Sequence, residues 1–334
     1  MLFFVVFDIG NMDDKAIVII IGAGGSVPFG FPTGEQLKWT VIDLLWRDEL
    51  AKERATRLSP LYRRLLDENF RPEEIRQLID RLKTAVWSSV DDFLAQHEKL
   101  QAVGKAAIAG VLLPCENRDQ LFDPKDKNGN RINNWYRLLV EAIYSPFEDI
   151  AKKKVNIFTY NYDSSLDTYL KETMKSSYTH PQQEIEDALR HIPIVHLHGE
   201  FASHEYASES TSVSLRGCSE KMKIVTDNLD DSPQFQQAAN ALWKAEEIYF
   251  IGFGYDEKNL ARLPIKSKYP PGSAVARGPF VRPSLNLFGS AYQVGPGVVR
   301  RVKGYFRHEG FDIHLGDISQ DAYQFLRTTL QFGS

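Results

Sequence analysis

The sequence TYNYD at residues 159–163 places Asn161 and Asp163 directly after a short, largely apolar stretch, Val155–Thr159. Such a stretch predicts a buried strand, and α/β sheets hold their ligands at the carboxyl ends of parallel strands. The Asn161 amide can donate and accept hydrogen bonds, which suits a water molecule or a ribose hydroxyl, and Asp163 can accept from a carboxamide. The alternative is that both side chains only cap the helix that follows.

Two histidines, His196 and His198, lie at the end of another apolar stretch, Ile192–Leu197. Alternate residues of a strand point to one face, so this spacing is compatible with a pair of metal ligands. No acidic or cysteine partner follows at a metal-binding spacing, although His204 is near. Three interpretations stand: a metal pair, structural histidines, or a general base, since histidine ordinarily titrates near neutral pH.

A glycine-rich turn follows the first apolar stretch, Ala16–Ile21. It reads GAGGS over residues 22–26 and continues to Gly30 and Pro32. Glycines after a buried strand let the backbone approach a pyrophosphate, and the next helix offers N–H donors at its start. The fingerprint GxGxxG is not met, because Val27 occupies the place of its last glycine. The alternative is a plain strand-to-helix connection.

These motifs need a parallel sheet to bring them together. Strands are predicted at Ala16–Ile21, Val155–Thr159, Ile192–Leu197, Glu247–Gly252 and Phe311–Leu315. Between the first two, apolar residues recur at three- and four-residue spacing, which predicts amphipathic helices. We therefore expect an α/β fold, a Rossmann-like doubly wound parallel sheet with a large helical insertion. The predicted boundaries are an N-terminal extension at 1–13, the two parts of the Rossmann-like domain at 14–48 and 154–334, and the insertion at 49–153.

Composition excludes several classes of protein. The formal net charge of −4 over 334 residues argues against sequence-independent binding of nucleic acid, and no apolar stretch is long enough to span a membrane. The two cysteines, Cys115 and Cys218, form no CxxC pair, so a disulfide framework and a four-cysteine zinc site are excluded. Two unpaired cysteines are compatible with the reducing environment of the cytoplasm. The basic residues between 300 and 307 are either a solvated face or a contact for a phosphate or a partner.

Taken in order, these motifs resemble those of the sirtuin family. The glycine turn is similar to the family's GAGxS…GxP segment, and TYNYD to its TQNID strand end, whose asparagine and aspartate contact ribose and nicotinamide. The sequence LHG at 197–199 matches the family's catalytic-histidine motif, and IGFG at 251–254 resembles a later loop that lines the dinucleotide. The resemblance makes Asn161 and His198 the catalytic residues. It assigns NAD binding to Gly22, Ala23, Gly24, Ser26, Gly30, Pro32, Thr159, Asp163, Gly252 and Gly254.

The departures from that family also carry information. The paired CxxC motifs that bind structural zinc in sirtuins do not follow His198, and Thr33-Gly34-Glu35 replaces the usual Asp-Phe-Arg. Together with the helical insertion, these departures resemble the divergent sirtuin-like NAD hydrolases of bacterial anti-phage defence. The resemblance implies NAD as the substrate, no zinc, a cytoplasmic homo-oligomer, and activation by a protein such as a hexameric DNA translocase or an Argonaute. The alternatives are a zinc-free deacylase or ADP-ribosyltransferase, and a non-catalytic module that senses NAD or ADP-ribose.

Overall fold

The computed structural model describes residues 15–53, 59–201, 205–207, 213–224, 233–263, 265 and 284–330. The predicted N-terminal extension lies outside them. The strands are β1 (Ile17–Ile21), β2 (Val155–Thr159), β3 (Ile194–His196), β4 (Glu247–Ile251), β5 (Asn286–Gly289) and β6 (Ile313–Leu315). They form a parallel sheet in the order β3-β2-β1-β4-β5-β6. The predicted fold class is confirmed, and the order reverses between β1 and β4, where doubly wound sheets bind ligands.

The helices fill the connections between these strands and both faces of the sheet. They are α1 (Gly34–Glu53), α2 (Pro60–Asp67), α3 (Pro72–Thr84), α4 (Val90–Ala95), α5 (Gln101–Leu112), α6 (Arg118–Phe122), α7 (Trp135–Ile143), α8 (Ser165–Ser177), α9 (Gln182–Leu189), α10 (Leu215–Cys218), α11 (Pro233–Lys244), α12 (Glu257–Arg262), α13 (Pro296–His308) and α14 (Ala322–Thr329). Over residues 59–153 helices alternate with loops and form no regular strand, as the periodicity predicts. One isolated bridge between Lys125 and Arg131 lies in the loop of residues 123–134. None of the described helices is long and apolar enough to cross a membrane.

The isoleucine-rich strand β1 is buried on both faces. Its odd-numbered residues, 17, 19 and 21, share one hydrophobic core with α1 and the helices of the insertion. Val18 and Ile20 face a second core, to which α11, α12 and α13 contribute. Because one continuous core joins the insertion to the sheet, the insertion is packed as a wall of the domain.

Two elements near the C-terminal end, β5 and α13, were not predicted from the sequence. Strand β5 has four residues, of which only Leu287 and Gly289 are buried, so it is too short to reveal an alternating pattern. Helix α13 buries Val302 and Phe306 at four-residue spacing. The basic residues around them make this apolar pattern hard to recognise in the sequence.

Candidate functional site

A cleft of about 970 Å³ opens at the carboxyl edge of the sheet, at the switch point. Five residues with predicted roles line it: Gly22, Ala23, Asn161, His198 and Gly254. The start of α1, the segment 88–92 of the insertion, and Tyr292 and Arg301 beyond β5 complete the lining. Ligand pockets commonly reach this size. Arg301 belongs to the basic run of α13, so one residue of that run faces the cleft.

The loops after β1 and β4 pack against each other through their backbones. The N–H of Gly24 donates to the carbonyl of Gly252 at 2.9 Å, and the N–H of Gly22 donates to that of Ile251 at 3.0 Å. Gly252 has a φ of +58°, and a Cβ there would lie 1.9 Å from the nitrogen of Gly25. Glycine at these positions therefore allows the two loops to pack closely. The role predicted for these glycines was NAD binding, not contact between the loops.

Asn161 is buried where β2 ends and is held by the loop after β1. Its Nδ2 donates to the hydroxyl of Ser26 at 2.9 Å and to the carbonyl of Gly22 at 3.2 Å. Its backbone N–H donates to Oγ1 of Thr159 at 3.0 Å. With Nδ2 directed to the loop, the side-chain oxygen Oδ1 is the atom that can accept a hydrogen bond from a water or a ribose hydroxyl.

Asp163 is turned into the protein and does not line the cleft. Its Oδ2 accepts from the hydroxyl of Ser26 at 3.0 Å, and its Oδ1 accepts from the N–H of Ser165 at 3.2 Å and from the Ser165 hydroxyl. Burial raises the pKa of Asp163, against the lowering effect of these hydrogen bonds. Because Ser165 begins α8, Asp163 braces this turn in the manner of a helix cap.

The two histidines have different surroundings. The buried ring of His198 stands edge-on to the ring of Tyr160, with 4.9 Å between centroids. The ring of His196 lies 3.0 Å from the carbonyl of Asn161 through Nδ1 and 3.1 Å from the Asp167 carboxylate through Nε2. Burial disfavours the charged ring, but the Asp167 charge and both hydrogen bonds outweigh it and raise the pKa of His196 to about 9. Through these two contacts, His196 holds the turn that carries Asn161.

A metal pair at these histidines gains no support from their neighbours. The part of the chain that the structure describes contains no group of three or more His, Cys, Asp or Glu residues that could hold a metal ion. Cys115 and Cys218 are free thiols, and burial raises the pKa of Cys115 to about 11. The expectation of a zinc-free protein remains a prediction for metal analysis.

Helix α7 of the insertion supports the glycine turn from behind. The indole N–H of Trp135 donates to the carbonyl of Gly25 at 2.8 Å, and the ring of Tyr136 stacks on Phe29 at 4.0 Å. The Tyr136 hydroxyl lies 2.8 Å from that of Ser165. The sequence predicts only amphipathic helices in this region, because the partners of these polar atoms are distant along the chain.

Seven predicted NAD-binding residues lie outside the cleft lining: Gly24, Ser26, Gly30, Pro32, Thr159, Asp163 and Gly252. Of these, Ser26, Thr159 and Asp163 hold the turn around Asn161, and Gly24 and Gly252 hold the two loops together. Tyr160, Phe253 and Asp91 line the cleft without having been predicted to do so. No role was predicted for Tyr160 or Phe253, because neither is among the residues to which the family resemblance assigns a contact.

Comparison with known families supports the resemblance over part of the chain. Residues 155–267 match the profile of the SIR2-like domain. The match includes β2, β3 and β4, and with them Asn161 and His198, whereas the glycine turn after β1 lies outside it. A search of curated proteins finds no match to this chain. Residues 155–267 are therefore similar to the SIR2-like domain, a family that uses NAD.

Proposed function

We propose that the protein hydrolyses the nicotinamide–ribose bond of NAD to nicotinamide and ADP-ribose. The observation that carries this proposal is the placement of Asn161 and His198 in one cleft at the switch point of the sheet, beside Gly22 and Ala23. The residues present fit a dinucleotide, because the cleft of about 970 Å³ is large enough for an extended ligand. The backbone of Gly254 is open as well, since a Cβ there would meet nothing within 4 Å.

In the proposed reaction the cationic nicotinamide ring leaves as a neutral molecule, so the leaving group needs no acid. The positive charge passes to the ribose in an oxocarbenium-like transition state, as in other glycosyl cleavages. Asn161 would orient the attacking water or a ribose hydroxyl through Oδ1, since its Nδ2 is held by Ser26 and Gly22. His198 would take the proton from the water.

The test is nicotinamide release from NAD by the purified chain, followed by chromatography. We expect His198→Ala and Asn161→Ala each to lower the rate by at least about 100-fold, because each removes a group that acts on the reacting atoms. His191→Ala is the matched control for the first variant, since His191 is exposed in the turn that precedes β3. Full activity in a folded His198→Ala protein would refute the proposed base.

We further propose that the enzyme is an effector of anti-phage defence, kept at low activity as a homo-oligomer until a partner protein activates it. The physical reason is that unrestrained hydrolysis of NAD would kill the host cell. A hexameric DNA translocase or an Argonaute is the kind of partner that the resemblance implies. Light scattering and NAD turnover by the pure chain, with and without the products of neighbouring genes, test this. A monomer that hydrolyses NAD rapidly, at a rate that no such protein changes, would contradict it.

A further inference from the structure

The proposed reaction develops positive charge on the ribose, and a carboxylate is the side chain best suited to stabilise that charge. Asp163 is the carboxylate that the family motif offers, but its oxygens are occupied by Ser26 and Ser165 behind the cleft wall. Five carboxylates line the cleft, those of Glu35, Asp43, Asp91, Asp92 and Asp256. That of Asp91, from the helical insertion, accepts a hydrogen bond from Tyr162. Asp91 is the second residue of helix α4 and is half-buried.

Asp91 is joined to the part of the wall that holds Asn161 and His198. Its Oδ1 accepts a hydrogen bond from the hydroxyl of Tyr162, the residue that follows Asn161. The ring of Tyr162 lies 6.2 Å from the ring of His198, measured between centroids. Tyr162 therefore connects the Asp91 carboxylate to both residues with predicted catalytic roles, Asn161 and His198.

The segment that presents Asp91 is held on both sides. Before it, the ammonium of Lys38 donates to the carbonyls of Ala85 at 3.1 Å and Trp87 at 2.7 Å. After it, Asp92 pairs with Lys258 at 2.8 Å, which ties α4 to helix α12 of the sheet domain. The Ser89 side chain caps α4 at the N–H of Asp92. Asp91 is thus a fixed feature of the cleft.

We propose that the Asp91 carboxylate contacts the nicotinamide ribose and stabilises the cationic transition state, which makes Asp91 a third catalytic residue. This inference rests on the proposed NAD hydrolysis. In the step, the bond between C1′ and the nicotinamide nitrogen breaks, and its electron pair neutralises the pyridinium ring. Water adds through its oxygen to C1′ and gives one proton to His198, which releases it to solvent. Asp91 exchanges no proton and acts only through its charge.

The surroundings of Asp91 favour this role. Burial raises the pKa of Asp91, and the Tyr162 hydrogen bond opposes the rise, which favours the charged carboxylate that this role requires. A poorly solvated negative charge gains more from a nearby cation than an exposed one does, because water screens it less. The competing explanation is purely structural: Asp91 would only accept the Tyr162 hydrogen bond and so join the insertion to the end of β2.

Three substitutions separate these explanations in single-turnover measurements of nicotinamide release. Asp91→Asn keeps an acceptor for Tyr162 and removes the charge, so we expect the rate to fall about 100-fold while the dissociation constant of NAD changes little. Tyr162→Phe removes the hydrogen bond and leaves the carboxylate in place. Because that hydrogen bond opposes the burial-raised pKa of Asp91, the rate of Tyr162→Phe is compared at alkaline pH, where we expect it to stay within about tenfold of wild type. Asp91→Glu keeps the charge and should react faster than Asp91→Asn.

The matched control is Asp119→Asn, because Asp119 is also the second residue of a short, side-chain-capped helix of the insertion, α6, but is exposed. We expect it to react at the wild-type rate. The inference is overturned if Asp91→Asn reacts like wild type, if Tyr162→Phe loses as much as Asp91→Asn, or if Asp91→Glu and Asp91→Asn are equal. Should Asp91→Asn fail to fold, Asp91→Ser takes its place, because it also removes the charge and can be compared with Asp91→Glu and Tyr162→Phe in the same way.

The same panel distinguishes the inference from the function on which it rests. If the wild type and Asp119→Asn release nicotinamide, His198→Ala does not, and Asp91→Asn does, only the role of Asp91 falls. If the wild type releases no nicotinamide even with enzyme in excess of NAD and with the products of neighbouring genes added, the proposed hydrolysis falls and this inference falls with it.

Discussion

The two walls of the cleft are built from different interactions. On the sheet side, the loops after β1 and β4 contact each other through backbone hydrogen bonds, with Gly24 and Gly252 in direct contact. On the insertion side, the wall is attached through side chains, such as the Asp92–Lys258 ion pair and the Asp91–Tyr162 hydrogen bond. The contact between Gly24 and Gly252 therefore leaves no room for added atoms, whereas the insertion wall can be altered one side chain at a time.

This difference separates two tasks. The sheet wall sets the position of Asn161 through Ser26, Gly22 and His196, and an error there displaces the whole turn. The insertion wall forms the other side of the cleft and contributes negative charge to it. Its contacts with the sheet domain are partly exposed to solvent, where ion pairs are weak. We expect substitutions at the loop contacts of the sheet wall, apart from Asn161 and His198 themselves, to act mainly on folding stability and those in the insertion wall mainly on catalysis and binding.

The strongest way to break the sheet wall is Gly252→Ala. Its Cβ would lie 1.9 Å from the nitrogen of Gly25, and its φ of +58° disfavours any residue other than glycine. Both loops would have to move apart, so we expect the free energy of unfolding to fall by at least about 3 kcal/mol. Urea unfolding followed by circular dichroism measures this.

Gly254→Ala is the matched control, because it changes the same loop at a position where a Cβ meets nothing within 4 Å. We expect its free energy of unfolding to stay within about 1 kcal/mol of wild type. If Gly252→Ala were as stable as Gly254→Ala, the two loops would not be locked together as described.

The pH dependence of stability sharpens the same comparison, because His196 supports Asn161 through charge. The pKa of His196 is raised in the folded state to about 9 from its ordinary value of 6.5. A raised histidine pKa contributes stability that is complete below pH 6.5 and is lost as the pH rises through about 9. The contribution should reach about 3 kcal/mol.

Urea unfolding between pH 6 and pH 9.5 tests this, with His196→Gln as the variant. We expect the variant to be less stable than wild type at the acid end and to lose less stability towards the alkaline end. His191→Gln is the control, since its ring is exposed. Parallel pH profiles for wild type and His196→Gln would contradict a charged His196.

The sequence predicted the sheet wall far better than the insertion wall. Strands such as β1 and β2 are apolar runs followed by sequence-local motifs, so their ends and Asn161 could be placed from the pattern. The contacts of Asp91 and Trp135 join residues 71 and 110 positions apart in the sequence, to Tyr162 and to Gly25. No spacing rule covers such pairs, because they depend on how the helices pack on the sheet.

The motif residues themselves also carried an ambiguity that the sequence could not resolve. Asp163 fits a carboxamide acceptor and a helix cap equally well, and the choice depends on which way its side chain turns. It turns towards Ser26 and Ser165 because both offer donors inside the protein. Strand β5 was missed for a different reason, since its four residues are too few for an alternating pattern.

The smallest expected effect comes from Lys258→Ala, which removes the ion pair between the insertion wall and α12 of the sheet domain. The Lys258 ammonium pairs with Asp92 at 2.8 Å and lies 4.2 Å from the centre of the Trp87 ring, but the Lys258 side chain is 45% exposed. An ion pair so accessible to water contributes little, so we expect a loss of about 1 kcal/mol or less in the free energy of unfolding. Because the pair joins α4 to α12 beside the cleft, we also expect NAD affinity to fall a few-fold, and more at low salt than at high salt.

Arg137→Ala, which removes an exposed ion pair with Glu141 within α7, is the matched control and should leave NAD affinity unchanged. Equal effects of the two substitutions on affinity would mean that the Lys258 pair does not hold the insertion wall against the sheet wall.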